Sequence, residues 1–340
     1  MNITSVFRGC ERVVGVIPES VSRNFFTLIG TFLGYSNLKG VRQLRKNYQR
    51  IVPLSSNFAQ RRRSAQAMRK YFQYYHEVFR LPHLSPSEID ARVIAKGMDP
   101  LKQELLQRSA VAALLHSGNW DLAGAWAARS LAPVHTLAEK LEPADLAQHY
   151  RSFREKLGMT IYFAVKGENA IGKLQSDLLQ NKCFVPLLCD RDLSASGIEV
   201  ELLGEKIRVA PGAALLAIRE NIPVYPIFIK QVNFSQDRDR VKAAGTKFGI
   251  QLELGQPIFP PQDALEDISE ALQKMNQLWI AQAEQFLKEN LTDWHMLQKI
   301  FVADLDPERL AKARALKQTE TMAEAFVADD LSNQSEGNPR

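Results

Sequence analysis

The 340-residue chain predicts an α/β fold: a mostly parallel central sheet covered by helices, with a basic amphipathic helical region at the amino end. Three observations carry this. From about residue 95 to residue 300, short apolar runs alternate with helix-permissive stretches, the order that builds β–α–β units. Several of those runs end in a polar cluster, where α/β sheets place ligands. Basic residues crowd the start: residues 1–63 hold eleven Lys or Arg against two acids, Glu11 and Glu19, in a chain of net charge +5. The composition, 45% hydrophobic and 24% charged, is that of a globular protein able to bury a sizeable core. The cysteines, Cys10, Cys183 and Cys189, form no CxxC pair. That argues against a disulfide framework or a metal site and for a reducing compartment. Residues 1–17 lack the pattern of a signal peptide. The expected division is 1–63 (membrane-facing helices), 64–310 (α/β body) and 311–340 (helical extension and disordered tail).

Taken in order, Pro18-Glu19-Ser20 breaks a first apolar run, and Phe25, Phe26, Leu28, Ile29, Phe32, Leu33 and Tyr35 follow at helical spacing, with Gly30 and Gly34 allowing close approach. This run is about a dozen residues, short of the ~20 a spanning helix needs. A helix lying in the membrane plane and a helix packed on the protein's own core both fit. Val41, Leu44, Tyr48 and Ile51 form a second apolar face, opposite Arg42, Arg45, Lys46 and Arg50. A basic arm suits nucleic acid or an anionic bilayer. The interleaved aromatics favour the bilayer, and no recognition helix or zinc spacing supports nucleic acid. Arg61-Arg62-Arg63 reads as a loop or helix start, residues 68–79 as a buried aromatic helix ended by Pro82, and Ser85-Pro86-Ser87-Glu88 as a further helix start.

The central stretch is Leu114-Leu115-His116-Ser117-Gly118-Asn119-Trp120-Asp121. Residues 111–115 read as a buried strand and 121–129 as a helix, so His116 stands at a strand's carboxyl end and Asp121 in the following first helical turn. A nearby carboxylate fixes an imidazole's tautomer and raises its basicity, and such an imidazole can take a proton from a hydroxyl. Spacing alone makes this a weak pattern. Further strands are expected at 132–138, 159–165, 183–189, 198–203, 206–209, 224–230 and 251–259, and helices at 143–157, 170–180, 212–220, 264–289 and 308–326. Asp190-Arg191-Asp192 directly follows one strand. Phosphate-loop, dinucleotide and Gly-x-Ser-x-Gly fingerprints are absent.

Six blocks together carry a family resemblance: His116 to Asp121 with Gly124-Ala125-Trp126; Ala138-Glu139-Lys140-Leu141; Arg154-Glu155 with Leu157-Gly158-Met159; Asp190-Arg191-Asp192-Leu193; Gly197-Ile198-Glu199-Val200; and Asp293 to Gln298. In this order the chain resembles the lipid A lauroyl/myristoyl acyltransferase superfamily and, within it, the phosphatidylinositol mannoside branch. Asp121, where the lipid A branch usually has Glu, matches that branch. The resemblance implies a membrane-associated O-acyltransferase that moves a long acyl group, palmitoyl by expectation, from acyl-CoA to a mannose hydroxyl. Acyl-CoA is then a donor substrate; no permanent cofactor or metal is implied. It makes His116 the general base, with Asp121 and Asp190 catalytic, Asp190 as relay and Glu199 as the fallback. Asn119, Trp120, Arg154, Arg191 and Glu199 become substrate contacts. Backbone N–H groups from Ser117 to Asn119 and of the next helix are plausible oxyanion donors. The expected setting is a monomer on the cytoplasmic face of the plasma membrane, with Phe25, Phe26, Phe32, Leu33, Arg42, Arg45, Lys46 and Arg50 touching lipid and no nucleic-acid partner. The alternatives are acylation of lipid A or another glycolipid or phospholipid, and a non-catalytic protein that binds anionic lipid.

Overall fold

The computed structural model describes residues 3–315, apart from 141, 166, 167, 193, 195, 309 and 313. The expected tail lies almost wholly outside these residues.

The chain opens with four helices, α1 (Ile3–Val16), α2 (Glu19–Tyr35), α3 (Lys39–Ile51) and α4 (Asn57–Arg80). Helix α4 is longer than the aromatic segment suggests. Ser56 caps it and Arg61-Arg62-Arg63 lie within its first turns. Helices α2 and α4 approach closely at two glycines. A Cβ at Gly30 would stand 2.5 Å from the Met68 carbonyl oxygen, and one at Gly34 would stand 2.4 Å from Ala65 Cα. One face of α2 therefore packs on the protein. The other leaves Val21, Phe25, Leu28, Phe32 and Tyr35 exposed, at alternating spacings of four and three. Phe26 and Leu33, expected on the lipid side, are half-buried, and Phe26 packs against His76 and Phe79. No described helix is long and apolar enough to cross a membrane.

The body then runs α5 (Pro86–Ala91), β1 (Val93–Lys96), α6 (Asp99–Gln107), β2 (Ala110–Leu114), α7 (Trp120–Ser130), β3 (Val134–Ala138), α8 (Ala144–Lys156), β4 (Met159–Phe163), α9 (Ala170–Gln180) and β5 (Phe184–Leu188). It continues through β6 (Ile198–Leu202), β7 (Glu205–Val209), α10 (Gly212–Glu220), β8 (Val224–Asn233), α11 (Arg238–Ala244), β9 (Phe248–Leu254) and α12 (Ile268–Asn290). Helix α5 begins with a full capping box, Ser85 with Glu88, as its sequence predicts. Strands and helices without a sequence signature are β1, α6 and α11: β1, for example, has only four residues, of which Ala95 and Lys96 are exposed, so no apolar run marks it.

Seven strands form one sheet in the order β1-β9-β8-β2-β5-β3-β4. All neighbours are parallel except β8 and β9. The hairpin β6–β7 is a separate antiparallel pair. Strand β2 is central and buried on both faces. Val111, Ala113 and Leu115 enter one core, with α10 and α12, while Ala110, Ala112 and Leu114 enter the other, with α6 and α7. Such two-sided burial is why the strand reads as continuous apolar sequence rather than alternation. From β2 the chain moves outward to β3 and β4, and β5 returns to lie between β2 and β3. Parallel pairing of Leu114 with Leu188 brings the residues after both strands, His116 and Asp190, to the same sheet end.

Candidate active site

Three segments build the site: the turn after β2, the end of β5 and the segment after α12. Gly118 makes the first possible. Its φ is +59°, and a Cβ there would meet the Ile229 carbonyl oxygen at 2.8 Å, so any side chain would be both strained and in collision. Residues 293–295 run antiparallel to the turn. Gly118 N–H donates to the Asp293 carbonyl (3.0 Å), His295 N–H donates to the His116 carbonyl (2.8 Å), and Ser117 bridges Trp294.

His116 Nδ1 lies 2.5 Å from Asp190 Oδ1. The second oxygen of Asp190 accepts the His116 backbone N–H at 3.0 Å and the Trp294 indole N–H at 2.7 Å. The Asp190 carboxylate is 1% exposed while the imidazole keeps 34%. Burial would raise the Asp190 pKa. The His116 ring, the Trp294 indole and the His116 backbone N–H outweigh that and hold it below the usual carboxylate value. An ionised carboxylate on Nδ1 assigns the proton to that nitrogen and leaves the Nε2 lone pair able to accept a proton.

Asp121 has a different partner from the one its spacing suggests. It is buried, and it faces Arg154 and Tyr74 rather than the imidazole. Arg154 Nε donates to Oδ1 at 2.6 Å, and Tyr74 Oη donates to Oδ2 at 2.8 Å. For Arg154, burial alone would lower the pKa, but Asp121 raises it above the ordinary arginine value. Arg154 thus pairs with neither Asp192 nor Glu155. Glu155 binds Arg151, and Asp192 accepts the Ser194 backbone N–H.

Other residues depart from expectation. Asn119 is fully buried. Its Oδ1 caps α7 by accepting the Leu122 N–H, and its Nδ2 donates to Glu77, so both polar ends serve the fold rather than a substrate. Glu77 in turn holds Arg23 of α2 at 2.6 Å. Glu199, on the separate hairpin, is bound by Arg314 at 2.9 Å and faces Arg208 at 3.5 Å, which displaces the fallback relay. Of the expected oxyanion donors, Ser117 N–H bonds the Leu115 carbonyl and Gly118 N–H the Asp293 carbonyl. Of the first turn of α7, Leu122 N–H is taken by Asn119 Oδ1, which leaves the Trp120 and Asp121 amides, to which a helix start supplies no acceptor. Trp120 is half-buried with its ring edge-to-face with His116, centroids 5.6 Å apart. Arg191 is half-buried directly after Asp190. Among the lipid-side cations, Arg50 is tied to Asp304 (2.5 Å) and Glu205 (2.7 Å), and Lys46 also binds Asp304.

The roles of Tyr74, Glu77, Trp294 and His295 escape a sequence reading. His295 is buried, its pKa is lowered to about 3 chiefly by burial, and its Nε2 lies 3.1 Å from the Gly118 carbonyl oxygen. A neutral ring with its proton on Nε2 donates there and braces the turn. The sequence signals near these residues are the aromatic helix at 68–79 and the family block Asp293 to Gln298, neither of which says what the side chains touch.

This arrangement, a carboxylate-held imidazole open on one side beside a half-buried indole, can take a proton from a hydroxyl that attacks a carbonyl. Comparison with known proteins points to acyl transfer. The profile of a family described as bacterial lipid A biosynthesis acyltransferase matches residues 2–302. Phosphatidylinositol mannoside acyltransferase of Mycobacterium tuberculosis strain H37Rv is 30% identical over 305 residues, 89% of each chain. Its namesake in Mycolicibacterium smegmatis is 28% identical, over 88% of this chain and 92% of that one. A solved 1-acyl-sn-glycerophosphate acyltransferase from Thermotoga maritima covers 78% of this chain and 96% of its own, at 10% identity and a TM-score of 0.34, too distant to carry an argument. On the strength of the profile match and the 30% relative, the chain belongs to the bacterial lipid A biosynthesis acyltransferase family and is an acyltransferase.

Proposed function

We propose that this protein transfers a long-chain acyl group, palmitoyl by the family resemblance, from acyl-CoA to a mannose hydroxyl of a phosphatidylinositol mannoside. The His116–Asp190 pair carries the proposal, because it leaves Nε2 as an accessible base. The acceptor hydroxyl loses its proton to Nε2 as its oxygen bonds to the thioester carbonyl carbon. The carbonyl oxygen takes the negative charge, for which the Trp120 and Asp121 amides at the start of α7 are suited donors. Collapse re-forms the carbonyl and breaks the carbon–sulfur bond. The departing thiolate takes the proton back from the imidazolium, giving ester and free CoA. Asp121 holds Arg154 at the entrance to α7, where its cation can meet substrate phosphate. Trp120 offers an apolar face beside the base.

The same reading places the enzyme on the cytosolic face of an anionic membrane, α2 downward. The exposed Val21, Phe25, Leu28, Phe32 and Tyr35 stripe supports this. The test uses purified protein, acyl-CoAs of graded length and purified mannoside acceptors, read by mass spectrometry. The expected product is one ester per acceptor, and folded His116→Ala should lose roughly 10²-fold or more in rate. Acylation of lipid A precursors in place of the mannoside would redirect the substrate assignment. Normal turnover by His116→Ala would remove the base.

A further inference from the structure

Where α2 ends, α3 and the start of α4 form an open surface cavity of about 480 Å³ lined by Arg42, Arg45, Lys46 and Arg61 with Asn37 and Asn57, and by no acidic residue. Lys46 is answered by Asp304 across α3. No described carboxylate answers the three arginines. Arg45 and Arg61 are positioned by neutral groups. Arg45 Nη2 donates to the Ser36 carbonyl (2.7 Å) and to Asn37 Oδ1 (3.0 Å), and Arg61 Nη1 donates to the Tyr35 carbonyl (3.0 Å). These bonds cap the carbonyl end of α2, which has no basic residue of its own in its last turn. Capping does not account for the rest. Arg45 Nη1 is buried with no hydrogen-bond partner. Burial, and then Arg61 and Arg42, depress the Arg45 pKa, as expected of cations crowded together with no anion between them. A guanidinium fork held by carbonyls with one nitrogen unanswered is preorganised for an oxyanion.

Around the cavity, exposed apolar side chains stand on the same three elements and their links: Phe32 on α2 at 77% exposure, Leu38 at 54% and Phe58 on α4 at 69%. A soluble anion has no use for such a rim. A phosphate presented at a bilayer surface does, because acyl chains lie beside it.

We propose that this cavity is a phosphate-binding subsite for the headgroup of an anionic membrane lipid, with Arg45 as its fork. The proposal rests on the membrane placement above and adds a discrete pocket to what would otherwise be diffuse attraction.

The experiment measures binding to phosphatidylcholine vesicles with and without 30% phosphatidylinositol, for wild type, Arg45→Lys, Arg42→Lys and a triple Lys102, Lys242 and Lys288→Gln control. Lysine keeps the charge and loses the fork, so diffuse attraction predicts no change. The pocket predicts that Arg45→Lys binds the anionic vesicles roughly tenfold more weakly, with the control near wild type. Arg42 is exposed and its side chain is in none of the described hydrogen bonds or ion pairs, so Arg42→Lys keeps the test valid if Arg45→Lys proves unstable. It too should bind more weakly. Thermal shifts with inorganic phosphate and adenosine 3′,5′-bisphosphate separate the source. Protection of wild type but not Arg45→Lys by these soluble ions, with unchanged vesicle binding, would overturn the lipid assignment. Unchanged behaviour of both lysine variants towards vesicles and soluble ions overturns the pocket. A wild-type protein that ignores anionic vesicles overturns the membrane placement itself.

Discussion

Replacing Asp190 by Asn tests the site most sharply, because the three bonds to this carboxylate make the outcome calculable. Asp190 accepts three hydrogens, from His116 Nδ1 on one oxygen and from His116 N and Trp294 Nε1 on the other. An amide has one oxygen and one NH₂. If the oxygen faces Nδ1, the NH₂ meets two donors in a buried site. If it faces the two donors, both those bonds survive and the NH₂ meets Nδ1. The second orientation keeps more bonds and should prevail. Nδ1 must then accept, the ring proton moves to Nε2, and the base is lost. The equivalent tautomer error in a serine-protease triad costs about 10⁴ in kcat, or roughly 5.5 kcal/mol of barrier, and a fall of about 10³–10⁴ is expected here. Stability should change less, since the buried charge leaves while the bonds to His116 N and Trp294 Nε1 survive. The assay is kcat with saturating acyl-CoA and acceptor, beside circular dichroism and a thermal melt. Wild-type turnover in a folded Asp190→Asn protein would refute the tautomer argument, whereas loss of fold would be read instead from Trp294→Phe.

Trp294→Phe removes one of the three donors and should lower kcat by about tenfold, with the acid limb of the pH–rate profile displaced; an unmoved profile would reduce Trp294 to packing. Asp121→Asn leaves Arg154 without its counter-charge in a site that is largely buried, and should cost about 3 kcal/mol of stability by denaturant titration; an unchanged midpoint would mean Arg154 is well solvated. Burial lowers His76 and His295 to about 3, against about 6.5 in the unfolded chain. Below pH 6.5 the unfolded state therefore binds more protons, so this stability is complete above pH 6.5 and is lost as pH falls towards 3. At pH 5 the loss should be about 2 kcal/mol for each histidine, and His76→Gln should flatten the dependence of Tm on pH if it folds; an identical slope would place the acid sensitivity elsewhere.

The interior of the sheet was legible because parallel strands buried on both faces read as short apolar runs. The helices at Ala170–Gln180 and Gly212–Glu220 were visible at their observed bounds for a related reason: each is fenced by polar or turn-forming residues. Strand β1 was not legible, because half of it is exposed. In the site, the residues themselves show His116 and Asp190 only separately, as polar residues at strand ends, and their pairing comes from the family resemblance alone. Its physical reason is the strand order, in which β5 returns beside β2. Asp121 misled for a local reason. Proximity in sequence to His116 suggested a contact, yet a residue in the first turn of a helix can turn its carboxylate to another element, here α4 and α8. Sequence showed which cations are many but not which are answered. Arg50 and Arg42 stand on one helix, and only the position of Asp304 distinguishes a structural tie from an open charge.

These contacts explain why the amino-terminal helices cannot be treated as a detachable anchor. Arg23 of α2 bonds Glu77 of α4, and Glu77 bonds Asn119, the cap of the helix that follows His116. All three side chains are buried, so each is held because the others answer it; removing one leaves an unpaired polar group in the interior. Tyr74, one turn earlier on α4, adds the bond to Asp121, and Tyr48 of α3 donates to the carbonyl of Trp294. The elements that carry the exposed apolar stripe and the arginine cavity are therefore the same elements that fix the turn, the clamp and the segment bearing the indole. If the substrates lie in a bilayer, as proposed, the reacting groups must stand at a set height above that surface, and the buried Arg23–Glu77–Asn119 path ties α2 to the start of α7.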